Sequence, residues 1–281
     1  MLKEYIMADS VQKVLFVNSE MEPYLPQSPI ASLCRQLPQG IQERRKEIRA
    51  FMPKYGCINE RKNQLHEVIR LSGMNIIISD VDRPLVIKVA SISAARIQVY
   101  FIDNEDYFRR KQIDRDENGQ FFADNGERAI FFARGVLETV KKLRWAPDII
   151  HCSGWITHVL PLYLKKAYNE DPIFTQSKVV LSLYDDSTPE KLSAGFDQTI
   201  LLGDIGPGDV SVLTPEASGI ELAKLAAQYS DGIILGAPDV NPALVEHAKG
   251  TGLPLLPFDE ASLSDGSYMD KYNAFYDKLL A

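Results

Sequence analysis

Four histidines, three cysteines and two tryptophans are all that 281 residues contain of those types, and they are scattered. Cys34, Cys57 and Cys152 are odd in number, far apart and without a Cys-x-x-Cys pair. That excludes a disulfide framework and a structural zinc site and leaves three reduced thiols. His66 and His247 have no acidic or cysteine partner at ligand spacing, so no metal is expected. No apolar run approaches the roughly 18 residues needed to span a bilayer. Met1 to Gln12 mixes Lys3, Glu4 and Asp9 among its apolar residues, unlike a signal peptide. A cytoplasmic protein with no membrane partner is the expectation. Basic charge is also short: 31 Lys and Arg against 38 Asp and Glu give a net charge of −7, and the clusters Arg44-Arg45-Lys46 and Arg109-Arg110-Lys111 are brief. Such a chain opposes a phosphate backbone, which excludes nucleic acid as a partner. No Gly-x-Gly-x-x-Gly follows the first apolar run, and the glycines of Gly203 to Asp209 lack a Gly-Lys-Ser/Thr ending. A dinucleotide or other cofactor is therefore not expected.

What is present is an alternation of short apolar runs with helical patterns. The chain is organised around Asp148 to Lys166. Ile149 to Cys152 has the length and β-branching of a buried strand, Ser153-Gly154 breaks it, and a helical pattern follows. In a parallel sheet the turn leaving a strand's carboxyl end is where ligands sit, because donors of the next helix point into the crevice there. Ser153 to Thr157 is thus the first place to look for function.

Upstream, Val11 to Asn18 carries a first strand, apolar on both faces as a central parallel strand requires. A helix starts after Pro29, and Pro38 and Gly40 should break it early. Glu47 to Met52 is a second strand. Leu65 to Leu71, Asn75 to Ser79, Leu85 to Ser91 and Ile97 to Ile102 read as a β-meander, with Asp80 to Pro84 as a turn inside it. Asp103 to Asn125 reads as a long loop, and Gly126 to Leu143 as an amphipathic helix. Downstream, the strands are Lys178 to Leu183, Gly232 to Leu235 and Leu253 to Pro257. The helices are Glu216 to Tyr229, Asn241 to Lys249 and the aromatic Tyr268 to Leu280. The fold class is α/β: a Rossmann-like parallel sheet with right-handed crossovers and an inserted β-meander, in one domain.

Lys13-Val-Leu-Phe-Val-Asn-Ser-Glu20 with Pro23, Leu37-Pro38, Met52-Pro-Lys-Tyr-Gly56, Val99-Tyr-Phe-Ile-Asp-Asn104 with Tyr107-Phe108, Asp124-Asn125 with Glu127-Arg128, and Pro147-Asp-Ile-Ile-His151 with Trp155 and Pro161-Leu-Tyr-Leu-Lys165 occur in this order. Together they resemble the N-terminal domain of bacterial glycogen synthases and plant starch synthases, from about Lys13 to Leu183. The resemblance implies a single GT-B N-terminal-type domain over 1–281, with the second GT-B domain absent. It also implies ADP-glucose or an α-glucan as ligand, and a hexosyltransferase if active.

Departures fall at the cleft. The family's Lys-x-Gly-Gly-Leu loop, which sets a lysine and a helix N-terminus near the donor phosphates, is replaced by Pro26-Gln-Ser-Pro-Ile30. The family's His-Asp-Trp-His turn is replaced by Ser153, Gly154, Trp155 and Ile156, and its Ile-His-Asn strand end by Leu183-Tyr184-Asp185. Losing one catalytic donor costs about 10²–10³ in rate, and several are lost here.

The expectation is a pseudoenzyme, a binding or regulatory module. The alternatives are a glucosyltransferase completed by a partner chain and a small-molecule binder of another class in the same crevice. No catalytic residue is assigned. The candidate ligand crevice is Ser19, Glu20, Ser28, His151, Ser153, Trp155, Tyr184 and Asp185, with Asp186 beside them. The first reading of His151 is a hydrogen-bonded structural histidine, of Trp155 core packing as readily as a sugar platform, of Asp185 and Asp186 a turn, and of His158 a solvated surface. A surface that normally meets the second domain needs a cover, for which the terminal helix is the candidate, over its own domain, another copy in a homo-oligomer or a protein partner.

Overall fold

The computed structural model describes residues 12–281; the signal-peptide reading of Met1 to Gln12 and the start of the first strand at Val11 fall outside them, Gln12 apart. Among the described residues, ten strands form one sheet in the order β10-β9-β8-β7-β1-β2-β6-β5-β3, with β4 paired to β5. β1 (Lys13–Asn18), β2 (Glu47–Pro53), β6 (Ile97–Asp103), β7 (Ile149–Ser153), β8 (Lys178–Leu183), β9 (Gly232–Leu235) and β10 (Leu255–Leu256) run parallel. β3 (His66–Glu67), β4 (Met74–Ile78) and β5 (Val81–Ile92) are the antiparallel part. The meander is therefore an extension of the main sheet, since β6 pairs with both β2 and β5.

Helices cover both faces. α1 (Pro29–Glu43) joins β1 to β2, moving one way across the sheet. α3 (Asn125–Leu143), α4 (Leu160–Lys166), α6 (Gly219–Gln228) and α7 (Pro242–Gly250) make connections that move the other way. Right-handed crossovers then put α1 on one face and the other four on the opposite one. Half of the α1 face, over β7, β8 and β9, would lie bare. α9 (Tyr268–Leu280) closes it by burying Tyr268, Tyr272, Phe275 and Tyr276 at helical spacing, with Phe275 and Leu279 against Gly232. The terminal helix thus covers its own domain. Burying each large apolar side chain contributes about 1.5–3 kcal/mol. Arg44–Asp270 and Lys46–Asp277 pairs flank the seam.

Several expected elements differ in detail. α1 is not broken at Pro38 or Gly40. Pro38 is buried with Leu37 and Ile41, so packing offsets its missing hydrogen bond. Gly40 faces α9, where a β-carbon would overlap Met269. The turn placed at Asp80 to Pro84 is only Ser79-Asp80, both in left-handed conformation; β5 begins at Val81 and carries Pro84 opposite Asn75. Of Leu65 to Leu71 only His66–Glu67 forms a strand, with one further bond from Val68 N–H to Ile87 O, and β4 takes the other end of β5. The loop 103–125 contains α2 (Glu105–Phe108), capped by Asn104. The helix begun at Glu216 starts at Gly219 behind Ser218, the last parallel strand shrinks to Leu255–Leu256, and α8 (Glu260–Asp265) was not expected. α5 (Phe196–Thr199) is one turn in the loop-rich stretch.

Arg128, fully buried in α3, ties the 103–125 segment down. It donates to Tyr107 O (2.9 Å) and Asn125 Oδ1 (2.5 Å), with its guanidinium over the rings of Tyr55, Phe108 and Phe122. These aromatic faces, with the Asp124 and Asp114 carboxylates near them, support the charge against its burial. Among the described residues no helix is long and apolar enough to cross a membrane.

Candidate functional site

The sheet's carboxyl edge opens where β1, β7 and β8 end. Pairing continues one residue past β1, because Ser19 N–H donates to Ser153 O at 2.8 Å. The chain then turns at Gly154, whose φ of +93° suits only glycine. A β-carbon there would overlap Ser19 and stand 3.3 Å from Asp186 Oδ2. A 3₁₀ turn, Trp155–Thr157, follows and is locked by Thr157 Oγ1 donating to Gly154 O at 2.7 Å.

Two acidic side chains fill the place where an anion would be expected. Asp186, after β8, accepts the Trp155 N–H at 2.6 Å through Oδ2, while its buried Oδ1 has no partner. Burial pushes its carboxyl up to about 7, the Trp155 N–H opposing and the Glu20 charge adding. Glu20 Oε2 accepts from Ser28 Oγ at 2.7 Å, and Ser28 Oγ accepts the Ala31 N–H at 2.9 Å as the cap of α1. Pro29 at the first helical position removes another donor. The N-terminus of α1 and the turn after β7 are therefore both satisfied by the protein's own acceptors. Behind them Asn18 and Ser19 are buried, and neither the Asn18 amide nor Ser19 Oγ has a partner.

Of the residues expected in the crevice, Glu20 and Ser28 are hydrogen-bonded to each other, Ser19 lies against Gly154, and Asp185 is exposed next to Asp186. Ser153 lies beneath, its carbonyl held by Ser19. The other three are elsewhere. Trp155 is buried against Phe121, ring centroids 5.8 Å apart, so it is packing and not a sugar platform. Tyr184 is buried against Gly236, and burial raises its pKa, with the neighbouring Ser153 and Ser182 hydroxyls opposing. His151 lies under α9 between Tyr276 OH at 2.7 Å and Ser182 Oγ at 2.6 Å. Burial depresses its pKa to about 3, so it is neutral at physiological pH.

His158 is not on the surface. The 3₁₀ turn packs on α3 and carries it inward, where it is fully buried and neither ring nitrogen has a partner. Gly154, Asn18 and the inward turn of Asp186 complete the site. Asp186 was visible as the second of an acidic pair, and nothing in the pair says which member turns inward.

Comparison with known proteins gives the following. The sequence profile of the starch synthase catalytic domain matches residues 13–272. The glycogen synthase of Chlorobium limicola is 42% identical over 174 residues, 62% of this chain and 36% of that one. The glycogen synthase of Chlorobaculum parvum is 33% identical over 233 residues, 83% of this chain and 47% of that one. Among solved structures, the catalytic domain of starch synthase IV from Arabidopsis thaliana, bound to ADP and acarbose, superposes with a TM-score of 0.65 at 15% identity, over 89% of this chain and 51% of that one. The chain thus spans about a third to a half of the length of these curated relatives.

Proposed function

Because this chain belongs to the starch synthase catalytic domain family, we propose that it is a member without glucosyl transfer of its own, a pseudoenzyme that binds an α-glucan as a binding or regulatory module. One observation carries the reading. At the two places where backbone donors would meet a donor diphosphate, the chain supplies its own carboxylates, Asp186 on the Trp155 N–H and Glu20 on the Ser28 cap of α1. A diphosphate would have to displace them against like charge. A sugar brings hydroxyl donors, which free carboxylate oxygens accept. The histidine donor that the family's turn supplies is Ile156 here, and it is buried.

The test is thermal unfolding with maltoheptaose, ADP-glucose and ADP, beside an assay of glucose incorporation into glycogen. A ligand at 100 times its Kd adds about 2.7 kcal/mol, roughly 5–11 °C for a chain of this size. A shift with maltoheptaose, none with ADP and no incorporation is the expected result. A shift with ADP-glucose, or measurable incorporation, would favour an active transferase completed by a partner chain and overturn this reading.

A further inference from the structure

Among the described residues four large apolar side chains are exposed, and three of them, Ile69, Ile77 and Val81, lie on or between β3, β4 and β5. Clustered apolar exposure of this kind marks an interaction surface. β4 is also a free edge, since β5 is its one partner among the described residues. In an antiparallel pair a residue's N–H and C=O leave the strand on one side, and the sides alternate along it. Asn75 stands opposite Pro84, which has no N–H, and Ile77 O accepts from the Arg134 side chain. Asn75 and Ile77 therefore direct their backbone groups away from β5. Edge strands are usually blunted by a lysine, a proline or another charge, and Met74-Asn-Ile-Ile-Ile78 has none of these.

We propose that β4 pairs antiparallel with β4 of a second copy of this chain, about a two-fold axis at Ile76. In that register Asn75 of each copy lies opposite Ile77 of the other, and each such pair exchanges both of its backbone bonds. The whole strand is used, with Met74 opposite Ile78. Ile77 O can keep Arg134, because a carbonyl has a second lone pair. Continued past the strand ends, the same register brings Asp80 of one copy beside Ser72 of the other. Lys142 reaches that place, donating to Leu71 O at 3.2 Å and to Ser72 O at 3.4 Å. Among the described residues neither Asp80 nor Lys142 is ion-paired. The two-fold axis thus sets a lone carboxylate beside a lone ammonium at both ends of the seam, and this complementarity favours a second copy over an unrelated strand. β4 is four strands from β1 in the sheet, about 19 Å, so the pairing edge stands apart from the crevice.

The experiment is sedimentation velocity of the full chain over about 1–100 µM, with amide hydrogen exchange followed at both ends of that range. The mass should rise with concentration from 31.5 kDa to twice that value. The amides that slow in the dimer should be those of Asn75 and Ile77, which face solvent in the single chain. Asn75→Pro removes an outward donor and leaves the ladder to β5 whole, and Ile77→Lys sets a charge on the edge. Each should weaken dimerisation at least about tenfold, while thermal unfolding shows both variants folded. Asp80→Asn suits the left-handed turn equally well and should weaken it by about three- to tenfold, with a smaller response to salt than the parent chain. A monomer throughout the range, a dimer whose protected amides lie elsewhere, or a dimer that survives Asn75→Pro and Ile77→Lys unchanged would overturn the proposal.

Discussion

Tyr276, two turns into the closing helix, places its hydroxyl 2.7 Å from Nδ1 of His151 in the centre of the sheet. The other ring nitrogen meets Ser182 Oγ at 2.6 Å, so a fully buried imidazole is satisfied on both sides only while α9 is docked. Tyr276→Phe keeps the ring and removes one partner. The orphaned nitrogen costs about 1–3 kcal/mol, lowering the thermal midpoint by roughly 2–12 °C. In a His151→Leu background the same change should cost distinctly less, and a double-mutant cycle in urea measures the difference. Equal costs in both backgrounds would show that the helix is held by packing alone.

Stability should rise with pH from about 4 to about 7 and then level off. The Asp186 carboxyl rises from its ordinary 3.8 to about 7 in the fold, so its contribution is complete below 3.8 and is lost as pH rises through 7. The half-buried side chain makes this at most about 4 kcal/mol. His151 and His158 are depressed by burial from 6.5 to about 3, so theirs is complete above 6.5 and lost as pH falls toward 3. Two histidines outweigh one carboxyl on the acid side. Urea midpoints measured from pH 4 to 9 check the profile, and Asp186→Asn, by removing the opposing titration, should steepen the rise between pH 4 and 7 while leaving the level stretch above pH 7 in place. An unchanged rise in that variant would mean that Asp186 is not the titrating group.

The sequence made the parallel strands legible because their apolar runs are sealed on both faces, and it made α9 legible because Tyr268, Tyr272, Phe275 and Tyr276 fall on one stripe. What it hid is tertiary. Gly40 reads as a helix breaker, yet it is where Met269 needs the α-carbon bare. Pro84 reads as a turn residue, yet the turn is set four and five residues earlier by left-handed Asp80 and Ser79. At the site, Glu20 bonds to Ser28 and Ser19 lies against Gly154, as neighbouring strand ends allow. Trp155 and Tyr184 follow the same strand ends and His151 lies inside β7, and all three turn into the core, where α9 and Phe121 offer them apolar surface. One-dimensional spacing does not distinguish those two directions.

Gly154→Ala should be among the most damaging single substitutions. Its φ of +93° is a region that L-residues enter at a cost of about 1–3 kcal/mol. The new methyl group would also overlap Ser19, which cannot retreat while its N–H is bonded to Ser153 O. Loss of soluble protein, or a midpoint lower by roughly 6 °C or more, is expected. Gly195→Ala, in the milder left-handed helical region (φ +65°, ψ +26°) with nothing within 4 Å of the new methyl, should cost about 1 kcal/mol. A loss in Gly154→Ala no larger than that would show that neither its φ, ψ nor the overlap with Ser19 constrains the turn.

The two buried histidines should respond with opposite sign to the same substitution. His151→Leu removes both hydrogen bonds and strands Tyr276 OH and Ser182 Oγ, so it should destabilise by about 2–5 kcal/mol. His158 has the same burial and a pKa depressed by the same cause, but neither of its nitrogens has a partner. There the side chain loses its hydration on folding and gains no bond in return. His158→Leu, close in volume and without polar atoms, should therefore stabilise by about 1–3 kcal/mol at pH 7 and make the acid arm of the stability profile shallower. Urea unfolding of the two variants at pH 7 and pH 5 decides it. A loss of stability in His158→Leu would mean that a bound water or a shifted neighbour satisfies the ring in solution, and that the imidazole is held there for its hydrogen bonds after all.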